Sequence, residues 1–155
     1  MSETTHQRIG EQSIVHRREF DASAADVQRA HTTAELFSQW MGPRGSTLRI
    51  ERFDAHTGGR FDYTVEIGGE WRFWGSYHEV VEGRIVHTWE FQEQPGQPTL
   101  EVLEFRDLQA GRSSLEITST YGSKAACDAM VESGIDGGMD EDFERLDEAL
   151  ANLSR

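Results

Sequence analysis

Tyr77 and His87 are the residues of this sequence best suited to proton transfer, and they lie in a stretch rich in aromatic residues. An imidazole has an unperturbed pKa near neutrality, so His87 is a candidate general acid or base, with the Tyr77 phenol nearby. The sequence contains no Gly-x-Ser-x-Gly elbow, Walker loop or dinucleotide fingerprint. We therefore assign no catalytic residue, keep His87 and Tyr77 as candidates, and leave open whether the chain is an enzyme.

Side chains that are able to bind a metal ion occur on neighbouring predicted strands, at His78, His87 and Glu104. The string HEVVE at residues 78–82 is similar to a zinc-protease motif but lacks its second histidine. It also lies in a strand pattern, where side chains four residues apart do not converge as they do on a helix. Nothing in the sequence fixes the separation of the three residues, so we expect no metal site and no cofactor.

The composition is that of an acidic globular chain of 155 residues, with a formal net charge of −13 and 36% hydrophobic residues. Such a charge disfavours nucleic acid and anionic membranes as partners, because both attract basic surfaces. Cys127 is the only cysteine, so no disulfide can form within the chain. The sequence has no secretory signal pattern and no run apolar enough to span a bilayer, so we expect a cytoplasmic protein.

Alternating and β-branched residues predict seven strands, which are separated by turns containing glycine or proline. We interpret residues 1–12 as a flexible N-terminus and residues 13–155 as a single domain. The predicted strands span about residues 13–20, 46–54, 59–67, 70–81, 84–93, 99–108 and 112–121.

Two short helices are predicted after the first strand, because Ser23 with Asp26 and Thr32 with Glu35 have the spacing of capping pairs. Ser123 marks the start of a further helix. A last helix, predicted to begin at Met139, has apolar residues every three or four positions, namely Met139, Phe143, Leu146, Leu150 and Leu153. An antiparallel sheet must cover one face, and this helix is long enough to do so, which predicts an α+β fold.

The segment 69–91, GEWRFWGSYHEVVEGRIVHTWEF, holds three of the four tryptophans on two adjacent predicted strands. Side-chain alternation puts Trp74 on the opposite face from the other aromatic residues. A three-residue loop over residues 68–70 would join the preceding predicted strand to the first of these two strands. It would place Glu66 opposite Arg72, an opposite-charge pair that a two-residue loop lacks. We therefore favour the three-residue loop.

The second hairpin of this segment has two possible turns. A three-residue turn places His87 opposite Tyr77 and fits the Trp89 indole beside Gly75. A two-residue turn would instead pair His87 with His78. We favour the first arrangement, because it brings the aromatic residues of both strands to one face.

One amphipathic helix across a broad curved sheet leaves space between them, so the aromatic sheet face predicts a cavity. Aromatic walls with a few polar groups are typical of small-molecule sites, although aromatic stripes also fill ordinary cores, and that alternative stays open for each residue. The predicted ligand-binding lining is Phe37, Trp40, Phe61, Tyr63, Phe73, Tyr77, His87, Trp89, Met139 and Phe143.

Four segments carry a resemblance to a known family: AHTTAELFSQWMGPRG, FDAHTGGRFDY, FWGSYHEVVEGRIVHTWEF and SGIDGGMDEDFERLDEAL. Their order and spacing resemble successive blocks of START-like (SRPBCC) proteins, most closely the branch homologous to the activator of the heat-shock protein 90 ATPase. The resemblance covers about residues 13–153. It implies the helix-grip fold of birch pollen allergen: a seven-stranded curved antiparallel sheet, two short helices after strand 1, and a long C-terminal helix over a cavity.

The chain departs from this family at Met41 and Met139, where relatives often have tryptophan. Both changes replace a rigid ring with a flexible side chain, so the pocket shape of relatives does not transfer directly. The expected cavity is therefore defined by this chain's own residues.

Three functions are compatible with these features. The first is a binding or carrier domain for an apolar or aromatic small molecule or a lipid, which accounts for the inward aromatics without a catalytic group. The second is a co-chaperone that activates a heat-shock protein 90 ATPase, an activity that the resemblance locates in longer chains with an additional N-terminal domain. The third is a cyclase, dehydratase or hydrolase acting in the cavity. We favour the first, so a chaperone partner is the less favoured alternative, and a homodimer stays open.

Overall fold

The computed structural model describes residues 2–153, which form one sheet of eight strands and four α-helices. The strands are β1 Thr5–Ile9, β2 Ser13–Phe20, β3 Thr47–Phe53, β4 Arg60–Glu66, β5 Glu70–Val81, β6 Arg84–Phe91, β7 Thr99–Asp107 and β8 Ser113–Thr120. The helices are α1 Ala24–Thr32, α2 Ala34–Trp40, α3 Lys124–Glu132 and α4 Ile135–Leu153. Within the described residues, no helix combines the length and apolar composition that crossing a membrane requires.

All strands pair antiparallel in the order β1-β2-β8-β7-β6-β5-β4-β3. The sheet is curved, as the α+β prediction requires, but it has eight strands rather than seven. The additional strand, β1, lies within residues 1–12, for which the sequence predicts a flexible segment, and its His6 pairs with His16 of β2. Because β1 is short and polar, it lacks the apolar alternation by which the other strands are recognised.

The hairpin between β4 and β5 is paired two residues away from the predicted register. Glu66 lies opposite Glu70 rather than Arg72. Arg72 instead donates to Asp62, with an ion-pair distance of 2.6 Å. A shift of two residues leaves every side chain on its predicted face. The aromatic face therefore has the predicted residues although the predicted register is wrong.

Gly75 explains the observed register. It lies opposite Phe61, and a Cβ at this position would be only 2.4 Å from the Phe61 ring. The ring of Phe61 therefore occupies the space that the sequence assigned to Trp89. Trp89 stacks on Phe73 instead, with ring centroids 5.2 Å apart.

The hairpin between β5 and β6 combines features of both predicted turns. His87 lies opposite Tyr77, as the favoured arrangement predicts, yet the turn between the strands is the two-residue Glu82-Gly83. A register shift between Tyr77 and Glu79 absorbs the difference and leaves His78 in a β-bulge. The inward position of His87 therefore depends on this bulge.

The first two helices begin at local capping signals, one of which differs from the prediction. Ser23 caps α1, and its hydroxyl accepts a hydrogen bond from the Asp26 backbone N–H at 3.1 Å. Thr32 is the last residue of α1, and its hydroxyl donates to the Gln28 carbonyl. Thr33 consequently takes the N-cap position of α2.

The C-terminal helix covers the sheet with the apolar stripe that the sequence predicts. Its buried residues include Phe143, Leu146 and Leu150, while Met139 and Leu153 pack partly buried against the same core. The helix begins at Ile135, before the predicted start at Met139. Residues 137 and 138 join its first turn because their backbone N–H groups donate to the Gly134 carbonyl.

Candidate functional site

A cavity of about 560 Å³ lies between the sheet and the helices. Its volume is within the range of roughly 300–1,000 Å³ that is usual for small-molecule sites. The structure places all ten residues of the predicted lining on its wall: Phe37, Trp40, Phe61, Tyr63, Phe73, Tyr77, His87, Trp89, Met139 and Phe143. The fold therefore brings these residues together as the alternation and the helical stripe predict.

Strands β4, β5 and β6 supply an aromatic wall in which the rings support one another. The Phe73 ring stacks on Trp89 and on Phe91, with centroid distances of 5.2 and 4.9 Å. Tyr63 adds a tilted contact to Phe73 at 5.4 Å. Because each ring is held by its neighbours, the wall presents preformed apolar surfaces to the cavity.

Helix α2 closes the wall with Phe37 and Trp40. The Phe37 ring contacts Trp40 and Tyr63, each with a centroid distance of 5.3 Å. The Trp40 indole N–H donates to the Ala30 carbonyl at 2.9 Å. Since its one polar atom is satisfied by α1, this indole contributes only apolar surface to the site.

Helix α3 also borders the cavity, although none of its residues belongs to the predicted lining. Ala126, Ala129, Met130 and Ser133 lie along the wall, and Cys127 is fully buried beside them. The three apolar residues have i, i+3, i+4 spacing, which is the pattern of one helical face. That spacing is the signal from which this part of the site could have been found.

A polar group of residues interrupts the apolar wall near His87. His87 Nε2 lies 3.5 Å from Glu101 Oε1, and the Ser119 hydroxyl donates to Glu101 Oε2 at 2.8 Å. His87 Nδ1–H donates to the Thr88 carbonyl at 2.9 Å. A neutral His87 therefore keeps its lone pair on Nε2, on the side of the ring that faces Glu101.

Glu101 and Ser119 were missed by the sequence prediction. Glu101 alternates along β7 with Leu103 and Phe105, and Ser119 alternates along β8 with Ile117. A polar residue in an inward-facing row that also contains buried apolar residues is the available signal. Its meaning depends on which neighbouring strand supplies the partner, and that follows only from the sheet order.

Tyr77 and His87, the acid–base candidates, are neighbours without a direct hydrogen bond between them. Their ring centroids are 5.9 Å apart in an edge arrangement. Tyr77 is buried, and this burial raises the pKa of its phenol. Tyr77 is thus a neutral, largely apolar part of the wall, and Glu101 rather than Tyr77 is the ionisable partner of His87.

The three residues weighed as metal ligands are not brought together. His78 is exposed in the bulge of β5, and Glu104 accepts a hydrogen bond from Arg106 at 3.3 Å. Within residues 2–153, the group of three such residues that does come within ligand distance consists of His6, His16 and Asp136.

Two further ionisable groups border the cavity from the helical side. Burial lowers the pKa of His31 to about 4, and its Nδ1–H donates to the Val27 carbonyl at 2.8 Å. Burial also raises the pKa of Asp142 to about 7, although the Gly42 backbone N–H donates to this carboxylate at 3.1 Å. Both shifts favour uncharged side chains, which suits an apolar lining.

A curved antiparallel sheet closed by a C-terminal helix over an internal cavity is the START-like (SRPBCC) architecture. The model of the family described as activator of Hsp90 ATPase homolog 1-like protein matches residues 21–151. The chain therefore belongs to this family. No curated protein matches the sequence.

Solved structures similar to this chain share its fold over nearly the whole length. A protein from Rhodobacter sphaeroides has a TM-score of 0.89 at 24% identity, covering 97% of this chain and 99% of that one. Protein Ms6760 from Mycobacterium smegmatis has a TM-score of 0.86 at 17% identity, covering 97% and 98%. A protein from Arthrobacter aurescens has a TM-score of 0.85 at 20% identity, covering 96% and 91%. At these identities the likeness establishes the fold alone.

Proposed function

We propose that this chain binds and carries an apolar or aromatic small molecule, or a lipid, in the cavity between the sheet and α4. The observation that supports this most is the cavity itself, about 560 Å³ in volume and lined mainly by aromatic and aliphatic side chains. Such a lining with a few polar groups is the usual composition of a small-molecule site.

The physical basis of binding is the transfer of ligand surface from water to preformed ring faces. This transfer contributes roughly 25 cal/mol for each Å² of apolar surface removed from water. The rings of Phe73, Trp89 and Phe91 already stack on one another. A ligand therefore has to order few side chains, which lowers the entropic cost of binding.

The polar residues of the cavity give the ligand a defined orientation. His87 Nε2 and Glu101 Oε1 lie 3.5 Å apart on the wall and both offer lone pairs to a hydrogen-bond donor. A hydroxyl group on the ligand would donate a hydrogen bond there, while its apolar part lies on the aromatic wall. A cyclase, dehydratase or hydrolase would use the same pair as acid and base, so the carrier function is the simpler use of the same residues.

A co-chaperone function is the second candidate, because the family's description names an activator of the Hsp90 ATPase. That activity would appear as an increased ATPase rate that does not depend on ligand in the cavity. We propose a cytoplasmic location for either function, in keeping with the single cysteine, Cys127, which is buried and unpaired.

Binding of a matched pair of compounds, naphthalene and 2-naphthol, tests the proposed carrier function. His87→Ala should weaken the affinity for 2-naphthol by roughly tenfold, because loss of a buried hydrogen-bond partner costs about 1–3 kcal/mol. The affinity for naphthalene, which has no hydroxyl group, should change by less than about twofold. Ligand-observed NMR titration measures both affinities. His78→Ala is the control, since this exposed histidine lies on the same sheet outside the cavity lining. Absence of saturable binding by both compounds would contradict the proposal.

A further inference from the structure

A second group of ionisable residues lies where β1, β2 and the first turn of α4 meet. His6 Nδ1 is 2.7 Å from His16 Nδ1 and 3.5 Å from Asp136 Oδ1. One potential ligand atom from each residue lies within 4.8 Å of the other two. The fold thus assembles two imidazoles and a carboxylate from segments that are distant in the sequence.

Hydrogen bonding determines how His6 presents its ring. His6 Nε2 is 2.9 Å from Asp140 Oδ1 and donates to this carboxylate. A neutral His6 therefore has its lone pair on Nδ1, and the proton in the 2.7 Å contact belongs to Nδ1 of His16. A carboxylate that holds the far nitrogen of a histidine is the arrangement that orients metal-binding imidazoles in proteins.

Asp136 supplies an oxygen that lacks a proton donor. Its Oδ1 atom is enclosed and accepts no hydrogen bond from the described residues, although the side chain as a whole is 45% exposed. This oxygen and the lone pair of His6 Nδ1 are neighbours at 3.5 Å. The His6 lone pair accepts the His16 proton, so Asp136 Oδ1 is left without a donor, and a cation in place of that proton would be shared by both atoms.

We propose that His6, His16 and Asp136 together bind one divalent transition-metal ion, with zinc as the best match. Imidazole nitrogen and carboxylate oxygen are common zinc ligands at about 2.0–2.2 Å, so ligand atoms around a tetrahedral ion lie about 3.3 Å apart. The 3.5 Å distance from His6 to Asp136 already fits this geometry. The 2.7 Å contact between the histidines must open by about 0.6 Å as the ion takes the place of the His16 Nδ1 proton, and His16 stays neutral by carrying its proton on Nε2 instead.

The surroundings suit such a site. His16 is 1% exposed, which fixes one ligand in the sheet, while His6 lies on the edge strand β1 and can adjust. The partly exposed Asp136 side chain gives an ion access from solvent. An ion held by three protein ligands would keep an open fourth position.

Titration of untagged, chelator-treated protein with zinc ions tests this proposal. Calorimetry should give one ion for each chain, and cobalt ions should produce the visible absorption of a tetrahedral or five-coordinate centre. His6→Ala and Asp136→Asn each remove a ligand and should weaken zinc binding at least tenfold. Asp140→Asn removes the hydrogen bond that orients the His6 ring and should weaken zinc binding by roughly ten- to a hundredfold. His78→Ala should bind zinc as the parent does, because His78 is exposed and outside the cluster.

Thermal unfolding gives an independent readout that does not require knowledge of any carried ligand. Zinc should raise the Tm of the parent and of His78→Ala by mass action, and should not raise that of His6→Ala. His6 and Asp136 are not core residues, so circular dichroism should show both variants folded. Equal zinc affinity in His6→Ala and the parent, or no saturable binding up to about 100 µM zinc, would overturn the proposal.

Discussion

His31 shows how the helical layer controls the charge of a single residue at the cavity. Its ring lies 4.7 Å from the Trp40 ring and 5.3 Å from the Phe105 ring, measured between centroids. Burial there lowers its pKa to about 4, because the charged form loses its hydration. The imidazole is thus a neutral part of the wall, held by a single hydrogen bond to the Val27 carbonyl.

The stability of the protein should depend on pH through His31. Its pKa is about 4 in the folded chain and near 6.5 when unfolded, so the unfolded chain binds more protons between these values. This contribution to stability is full above pH 6.5 and is lost as pH falls toward 4. His31→Leu removes the dependence, so the substitution should cost about 2 kcal/mol less at pH 5 than at pH 8.

Urea unfolding of parent and variant at the two pH values measures this difference. His78→Leu is the matched control, since it removes an exposed histidine of the sheet. An equal cost of His31→Leu at pH 5 and pH 8 would show that His31 is not shielded from protons in the folded chain.

The aromatic lining could be predicted from the sequence, and its polar partners could not. Phe61, Phe73 and Trp89 follow from strand alternation, which holds even when the pairing register is wrong by two residues. Glu101 and Ser119 also face inward, but their role arises from contact across strands, at 2.8 Å between them. A polar residue in an apolar row has no assigned partner until the sheet order is known.

Among the secondary-structure elements, the two aromatic hairpins show that side-chain packing sets the strand register where local pairing rules predict another one. Charge matching favoured Glu66 with Arg72, but in the observed register the Phe61 ring packs against Gly75 and Arg72 pairs with Asp62 instead. In the second hairpin a bulge at His78 reconciles a short turn with the inward position of His87. Bulges of this kind have no simple signal in one sequence.

Helix α4 has the element-scale role of closing the sheet, and Leu146 tests it. Leu146 is 0% exposed, so Leu146→Ala should cost roughly 2–5 kcal/mol of unfolding free energy, as other large-to-small core changes do. Leu108→Ala is the control, because Leu108 is 42% exposed and its substitution should change stability by less than about 0.5 kcal/mol. Denaturant unfolding compares them, and similar small losses in both variants would mean that the α4 stripe is not buried.

At the scale of the whole molecule, the cavity results from geometry rather than from any one motif. Sheet residues, the short α2, the α3 face and the stripe of α4 all border one space of about 560 Å³. The sequence predicts which faces turn inward, but the volume depends on sheet curvature and on how far each helix lies from it. The cavity volume is therefore a property of the assembled fold.

Contact quenching by bromobenzene tests most directly whether this cavity binds apolar aromatic molecules. Trp89 lines the cavity, whereas Trp74 lies outside its lining, with the Arg72 guanidinium 5.0 Å above its ring. Bromobenzene should quench tryptophan emission of the parent and of Trp74→Phe in a saturable way, and Trp89→Phe should lose part of that quenching, because Trp40 and Trp71 also line the cavity. Quenching that disappears in Trp74→Phe, or that rises linearly without saturation in every variant, would contradict binding in the cavity.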